Sequence, residues 1–335
     1  MLLKRWFSLC AVVVALACAV LVSVADAAPT LTVSALPVTL TFGTPTVLKA
    51  RLGLAGATVR LSRETAGESD PTLIGVFVTD SAGAVTFRAK PRATTVFRAD
   101  FTGGADWLPL SAEVTVTVRP LVRLVAPERV ERGTRVPLRV QVLPAHPGAS
   151  VSIEKWSGDA WTEWRVVTLG DDSRAVASWR ADRVGRRAFR ATMAADEEHA
   201  AGASGVRRIQ VQKPNPYGVP LGASRIVVVD LSQYRMYYFS YGREVRSFPC
   251  VLGRPSLPTP RGHFRIYAKG MNPGGPYGAR IMSYHPPCAI HGTNEPWLLK
   301  RFPRDFSHGC TRLSNANAIW LYDHAPIGTP VWNVP

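Results

Sequence analysis

In this chain of 335 residues, the side chains best suited to covalent chemistry crowd into positions 291–313, which read HGTNEPWLLKRFPRDFSHGCTRL. The stretch holds two histidines, each followed by glycine, and a cysteine directly after the second pair. A thiol is a weak nucleophile until it ionises, and a neighbouring imidazole is the usual means of taking its proton. Cys310 is therefore the candidate nucleophile, with His291 or His308 as base. Side chains two apart on an extended backbone share a face, whereas the base has to meet the thiol from another element, so His291 is the expected base. His308 is then expected to shape the surroundings of the sulfur. Gly309 lets a substrate or an N–H approach where a side chain would block it, and the N–H groups near Gly309 and Cys310 are the expected oxyanion donors. No carboxylate adjoins His291, so Gly292 and Thr293 are expected to orient it through a backbone carbonyl, with Ser307 among the orienting residues. Arg312, two residues past Cys310, is placed to pair with a substrate carboxylate or, structurally, with Asp305 or Asp323.

These residues need strands to hold them. Residues 225–231 (Arg-Ile-Val-Val-Val-Asp-Leu) read as a buried strand and 234–239 alternate as its hairpin partner, turning at 240–243. Residues 245–252 and 264–268 read as further strands, and Ala289-Ile290 leads straight into His291, setting the base at a strand end. Residues 315–322 form the one convincing helix, capped by Ser314 or Asn315, and 330–334 a closing strand. The C-terminal part is thus expected to be mostly β, with a short helix just past the nucleophile.

At this level of detail a family resemblance emerges. His291-Gly292-Thr293 together with Ser307-His308-Gly309-Cys310-Thr311-Arg312-Leu313 resembles the signature of the L,D-transpeptidases, the YkuD-type catalytic domain of bacterial cell-wall enzymes. Gly253-Arg254 followed by Pro258-Thr259-Pro260-Arg261-Gly262 and His263-Phe264-Arg265-Ile266 is similar to the family's Gly-x-x-x-x-x-Thr-Pro-x-Gly-x-Phe segment, and Gly274–Arg280 to the loop before its active-site strand. The resemblance spans about residues 222–335. It implies transfer of a peptidoglycan stem tetrapeptide, cut between its third residue and D-Ala, from a thioester on Cys310 to an acceptor amine, giving a 3-to-3 crosslink. It implies neither cofactor nor metal. Rival readings are an L,D-carboxypeptidase or endopeptidase with water as acceptor, a sortase-like transpeptidase and a wall-binding protein. Cys288 and the Pro286-Pro287 pair depart from the usual pattern.

The same side chains admit other chemistry. Cys288, His291, His308 and Cys310 have the types for a tetrahedral zinc site, but the flanking Gly and Ser residues suit a thiol site better. A disulfide involving Cys310 would disable it, so any bridge is expected between Cys250 and Cys288.

Residues 1–27 read as an export signal: Lys4 and Arg5 precede an apolar run that ends in Ala25-Asp26-Ala27, with cleavage after Ala27 or retention as a membrane anchor. Cys10 and Cys18 lie there, leaving three cysteines in the exported part, an odd number that favours a free thiol. Either reading places the bulk of the chain outside the cytoplasmic membrane, in the wall.

From residue 31 to 214 short alternating runs of Val, Thr, Leu and Arg are punctuated by Gly and Pro, and the pattern repeats. Gly43-Thr44 with 47–52 returns as Gly133-Thr134 with 136–142, Phe87-Arg88-Ala89 as Trp179-Arg180-Ala181, and Phe97-Arg98-Ala99 as Phe189-Arg190-Ala191. A period of about 90 residues with roughly seven strands suits tandem immunoglobulin-like sandwiches. The expected fold class is mainly β: two such sandwiches at 30–119 and 121–212, a proline-rich linker at 213–221 favouring an extended connection, and the catalytic domain at 222–335. Within the sandwiches Asp196-Glu197-Glu198 with His199 reads as a solvated loop rather than a metal site. Trp107, Trp156, Trp161 and Trp164 read mainly as core or strand-pair residues.

The formal net charge of +16 is spread along the chain without a Lys/Arg-rich block, which argues against nucleic acid. For an exported chain the fitting polyanions are peptidoglycan stem carboxylates and anionic wall polymers. Binding to isolated walls is accordingly expected to weaken steeply with added salt, and salt-independent binding would refute a charge-driven contact.

Overall fold

The computed structural model describes residues 28–335, so the expected export segment, with Cys10 and Cys18, lies outside the described residues. The protein is mainly β, and it divides into two compact units, the second running from Arg119 to Pro335.

In the first unit, strands Thr32–Leu36, Thr46–Arg51 and Ala84–Ala89 form one sheet, and Thr39–Thr41, Leu110–Arg119, Thr95–Phe101, Thr58–Thr65 and Thr72–Val78 form the other, each in that order. Strict alternation decides which side chains face inward. Along Thr46–Arg51 every second residue is buried, and Ala50 meets Val59, Leu61, Ala99 and Phe101 of the facing sheet.

The repeated sequence gives a repeated topology in the first half of the second unit. Leu121–Val125, Arg135–Leu143 and Arg174–Arg180 make a three-stranded sheet, equivalent to that of the first unit. Arg129–Glu131, Arg207–Gln212, Gly185–Met193, Ser150–Trp156 and Trp161–Thr168 make the larger one, and Gly202–Ala203 adds to Gly185–Met193. Phe189, fully buried, takes Trp179 and Trp164 edge-on at 5.0 and 6.0 Å. Trp156 and Trp161 are register partners stacked edge to face at 5.3 Å, and Trp107 packs on the first unit's core. These sheets are the tandem β-sandwiches expected from the repeat.

The half that carries the candidate site has a five-stranded and a four-stranded sheet, a two-stranded ladder and one α-helix. The first sheet runs Arg243–Pro249, Arg235–Ser240, Ile226–Asp230, Pro330–Val334, Gly262–Arg265; the second runs Ala268–Met271, Arg280–His285, Cys288–His291, Thr311–Arg312. Ile226–Asp230 is buried at all five positions, because both faces of its sheet are covered. One face packs on Met282, Ile290 and helix α1 (Asn315–His324) through Ala318 and Leu321, and the other on Val219 and Tyr217. Two expected strands are interrupted. The 245–252 run ends at Pro249, and Leu252–Gly253 pairs instead with Asp305–Ser307. The 264–268 run breaks at Ile266-Tyr267, whose N–H groups donate to Thr329 and Ser283, as the chain crosses from one sheet to the other.

The proline-rich segment is not a free tether. Asn215 donates from its backbone N–H and Nδ2 to Glu131 of the sandwich, at 3.2 and 2.9 Å, and Tyr217 donates its hydroxyl to the buried Asp230 at 2.9 Å.

Candidate active site

Cys288–His291 lies parallel to Thr311–Arg312, with Ile290 opposite Thr311 and His291 opposite Arg312. Residues paired across a ladder share a face, and so do residues two apart along a strand. His291, Arg312 and Cys310 are therefore brought to one side of this sheet. The Ala289 N–H, two residues before His291, donates to the Cys310 sulfur at 3.4 Å. The thiol has no hydrogen bond with the His291 ring in this resting arrangement. The imidazole is 2% exposed, and its Nδ1 lies 2.5 Å from the Gly292 carbonyl oxygen. A carbonyl has no proton to give, so Nδ1 carries the hydrogen and Nε2 is left as the basic nitrogen. Tyr277 closes over the ring edge-on at 5.0 Å between centroids.

Burial governs the charge state. It holds the imidazole down to a pKa of about 4, outweighing the Gly292 contact, and the Arg312 guanidinium pushes the same way. Burial raises the Cys310 thiol above its ordinary value, although the Ala289 N–H and Arg312 both favour the thiolate. The resting site is thus a neutral thiol beside a neutral imidazole. Between about pH 6.5 and 4 the unfolded chain binds a proton at this histidine that the folded chain does not, so this ring makes stability fall as pH drops through that window.

Around the pair, Ser307 is fully buried and holds the turn: its hydroxyl donates to the Cys310 carbonyl at 2.6 Å and accepts from the Gly309 N–H at 3.2 Å. The Gly309 N–H is thereby engaged, which corrects the expectation that it serves an oxyanion. Gly309 has φ of 108°, and a Cβ there would stand 2.9 Å from the Cys288 sulfur, so the turn demands glycine. His308 is exposed on this turn and makes no hydrogen bond among the described residues. Thr293 makes no hydrogen bond to the His291 ring among the described residues. Its hydroxyl accepts from the Glu295 N–H at 3.0 Å, and Glu295 in turn holds Arg312 at 2.8 Å. Arg312 is thus paired with Glu295 rather than with Asp305 or Asp323. Asp305 instead accepts from the Tyr234 hydroxyl at 2.8 Å.

Among the described residues, Cys250, Cys288 and Cys310 are all free thiols, so the expected Cys250–Cys288 bridge is not formed. Cys250 is fully buried, and desolvation drives its thiol far above the ordinary range. Nor do Cys288, His291, His308 and Cys310 gather within reach of one ion among the described residues.

One residue escaped the sequence reading. Asn315, weighed only as a helix cap, leaves that task to Ser314, whose hydroxyl accepts from the Asn317 N–H. The Asn315 Oδ1 instead accepts from the N–H groups of Ala279 and Thr293, at 3.0 and 3.2 Å. It ties the loop after Gly274 to the strand end that carries His291. A Cβ at Gly278 or Gly292 would fall 2.1 Å from that oxygen, so both glycines are required by this clamp. The only sequence signal was the position of Asn315 next to a capping serine.

Residues 224–332 match the L,D-transpeptidase catalytic domain of the YkuD family. The chain is 34% identical over 110 residues to the L,D-transpeptidase YkuD of Bacillus licheniformis, covering 32% of this chain and 65% of that protein. It is 32% identical over 119 residues to the same-named protein of Bacillus subtilis, covering 35% of this chain and 68% of that one. A solved L,D-transpeptidase of Mycobacterium smegmatis aligns with 64% of this chain and 99% of its own at 18% identity, with a TM-score of 0.30.

Two outcomes follow from the geometry. Removing the shared acceptor in Asn315→Ala should cost about 1–3 kcal/mol and speed amide exchange at Ala279 and Thr293 more than in the strands of the first sheet, as read by hydrogen exchange. Alkylation of Cys310 should keep accelerating with pH past the ordinary thiol value, and a plateau already reached at neutral pH would instead reveal a preformed thiolate.

Proposed function

Because this chain belongs to the YkuD-type L,D-transpeptidase family, we propose that it is a peptidoglycan transpeptidase in which Cys310 carries the acyl group and His291 the proton. The Cys310 sulfur attacks the carbonyl between the third residue of a stem tetrapeptide and D-Ala as its proton passes to Nε2 of His291. The oxyanion meets the Cys310 N–H, since the Gly309 N–H is held by Ser307. The tetrahedral intermediate collapses with rupture of the C–N bond, the departing amine takes the proton from Nε2, and a thioester remains. An acceptor amine then attacks this thioester and releases its proton to His291. The sulfur leaves and regains that proton, and the product is a 3-to-3 crosslink.

The observation that carries this reading is the parallel pairing of Cys288–His291 with Thr311–Arg312. It brings a buried base, with its free nitrogen fixed by the Gly292 carbonyl, to the face that bears the only partly exposed thiol among the described residues. Arg312, locked on Glu295, is a positioning residue whose charge favours thiolate over thiol as the proton leaves. The remaining expectations of export, wall localisation and contact with anionic wall polymers fit this substrate and belong to the same proposal.

Incubation with purified disaccharide-tetrapeptide should yield a crosslinked dimer lacking one D-Ala by mass spectrometry. Tripeptide alone would overturn transfer in favour of hydrolysis. A carbapenem should add its mass to the wild type and not to Cys310→Ala, and equal labelling of both would remove Cys310 as nucleophile.

A further inference from the structure

The second sandwich contains a group of side chains that the transfer reaction does not use. His146 lies in the loop between Arg135–Leu143 and Ser150–Trp156, and Asp196 and His199 lie between Gly185–Met193 and Gly202–Ala203. One ligand-capable atom from each falls within 4.8 Å of the other two. We propose that His146, Asp196 and His199 form a zinc site that joins these two loops.

The protons of His146 make the first argument. Its Nδ1 stands 2.8 Å from the Pro144 carbonyl oxygen, which can only accept, so Nδ1 bears the hydrogen. Nε2 is then the ring's lone pair, yet it faces the Asp196 Oδ2 at 3.1 Å. Two lone pairs meet there, and a proton or a cation has to lie between them. A carbonyl holding the far nitrogen of a ligating histidine is also the usual way such a ring is oriented toward a metal.

Distance and charge favour the cation. Zinc bonds of about 2.0–2.2 Å in a tetrahedron set neighbouring ligand atoms roughly 3.3 Å apart. His146 Nε2 stands 3.1 Å from Oδ2 and His199 Nδ1 3.3 Å from Oδ1, so the two rings flank the two oxygens of one carboxylate, and one ligand atom from each residue lies within 4.8 Å of the others. The two imidazoles meet edge to face at 4.8 Å. The Asp196 Oδ1 accepts from the N–H groups of His199 and Glu198 at 2.6 and 2.9 Å, which fixes the carboxylate between the two rings. The histidine side chains are 9% and 3% exposed and that of Asp196 35%, so one side stays open for a water as fourth ligand. Two imidazoles with one carboxylate suit zinc and not magnesium or calcium, which prefer all-oxygen shells. In the sequence alone Asp196 and His199 read as part of a solvated loop. His146 comes from a distant position that only the fold brings near.

The test uses the full chain, loaded with zinc and then dialysed against metal-free buffer. One zinc per chain is expected by elemental analysis, and cobalt in its place should give the visible absorption of a tetrahedral ion. Zinc retention should persist in Cys310→Ala and fall by more than about 100-fold in affinity in His146→Gln and Asp196→Asn. These variants should melt with the metal-free wild type, which shows that they fold. Wild type that retains no zinc would overturn the site and leave a protonated His146–Asp196 pair in its place. Retention lost with Cys310, or unchanged in both sandwich variants, would overturn it as well. None of these outcomes depends on transfer activity, so the site stands or falls apart from the proposed reaction.

Discussion

The active site rests on one short ladder. Cys310 has no long strand of its own, only the two-residue Thr311–Arg312 that follows it, held on one side by Cys288–His291 and on the other by Val251, whose N–H and carbonyl both bond Arg312 at 2.9 Å. The Leu313 N–H closes the ladder on the His291 carbonyl at 2.8 Å. Because side chains alternate along a strand, a slip of one residue would turn Cys310 to the opposite face from His291. Everything around the ladder opposes that slip: the Ser307 turn fixes where the strand begins, and α1 starts just after Leu313, which is itself fully buried.

Burial that secures the register also decides the electrostatics. A nearly inaccessible imidazole and a half-buried thiol both lose hydration on charging, and desolvation is the largest influence on each. Arg312 favours the thiolate but disfavours the imidazolium, so it does not stabilise an ion pair; it shifts the balance toward a proton on neither group. In the proposed reaction such a site separates charge only while a carbonyl carbon is receiving the sulfur's electrons and the oxyanion has a donor of its own. A neutral resting thiol is also slower to oxidise than a thiolate, a useful property for a cysteine expected to work outside the cytoplasm.

Much of this could be read from the residues themselves. Alternation and the repeat gave the sandwiches, because inward-facing positions at Thr46–Arg51 and their counterparts in Arg135–Leu143 have no other use. The backbone carbonyl expected behind His291, for want of a nearby carboxylate, is that of Gly292. What escaped was set by contacts between segments far apart in sequence. The partner of Arg312 is Glu295, seventeen positions away on a loop whose path is fixed by a hydrogen bond from Glu295 N–H to Thr293. The role of Asn315 depends on two glycines that leave room for its oxygen, and glycine in a sequence signals only that room is needed somewhere. The engagement of the Gly309 N–H by Ser307 likewise belongs to a turn whose closure no spacing rule specifies.

The segment ahead of strand Ile226–Asp230 covers the sheet it leads into. Ile226–Asp230 is apolar on both faces, so one sheet face would be bare without Val219 and Tyr217, the latter packed on Tyr237 and Phe239 at 5.1 and 6.0 Å between ring centroids. Tyr217 also supplies one of three hydrogen bonds to the buried Asp230 carboxylate, the others coming from the Ser232 hydroxyl and the Gln233 N–H. A buried carboxylate stripped of a donor is costly, and an apolar sheet face without cover loses the gain of its burial. The proline-rich stretch is therefore part of the catalytic fold, and through Asn215 on Glu131 it also binds the preceding sandwich. In this chain the sandwich and the enzyme are joined by a packed structural element, and the strand that anchors the catalytic sheet depends on it.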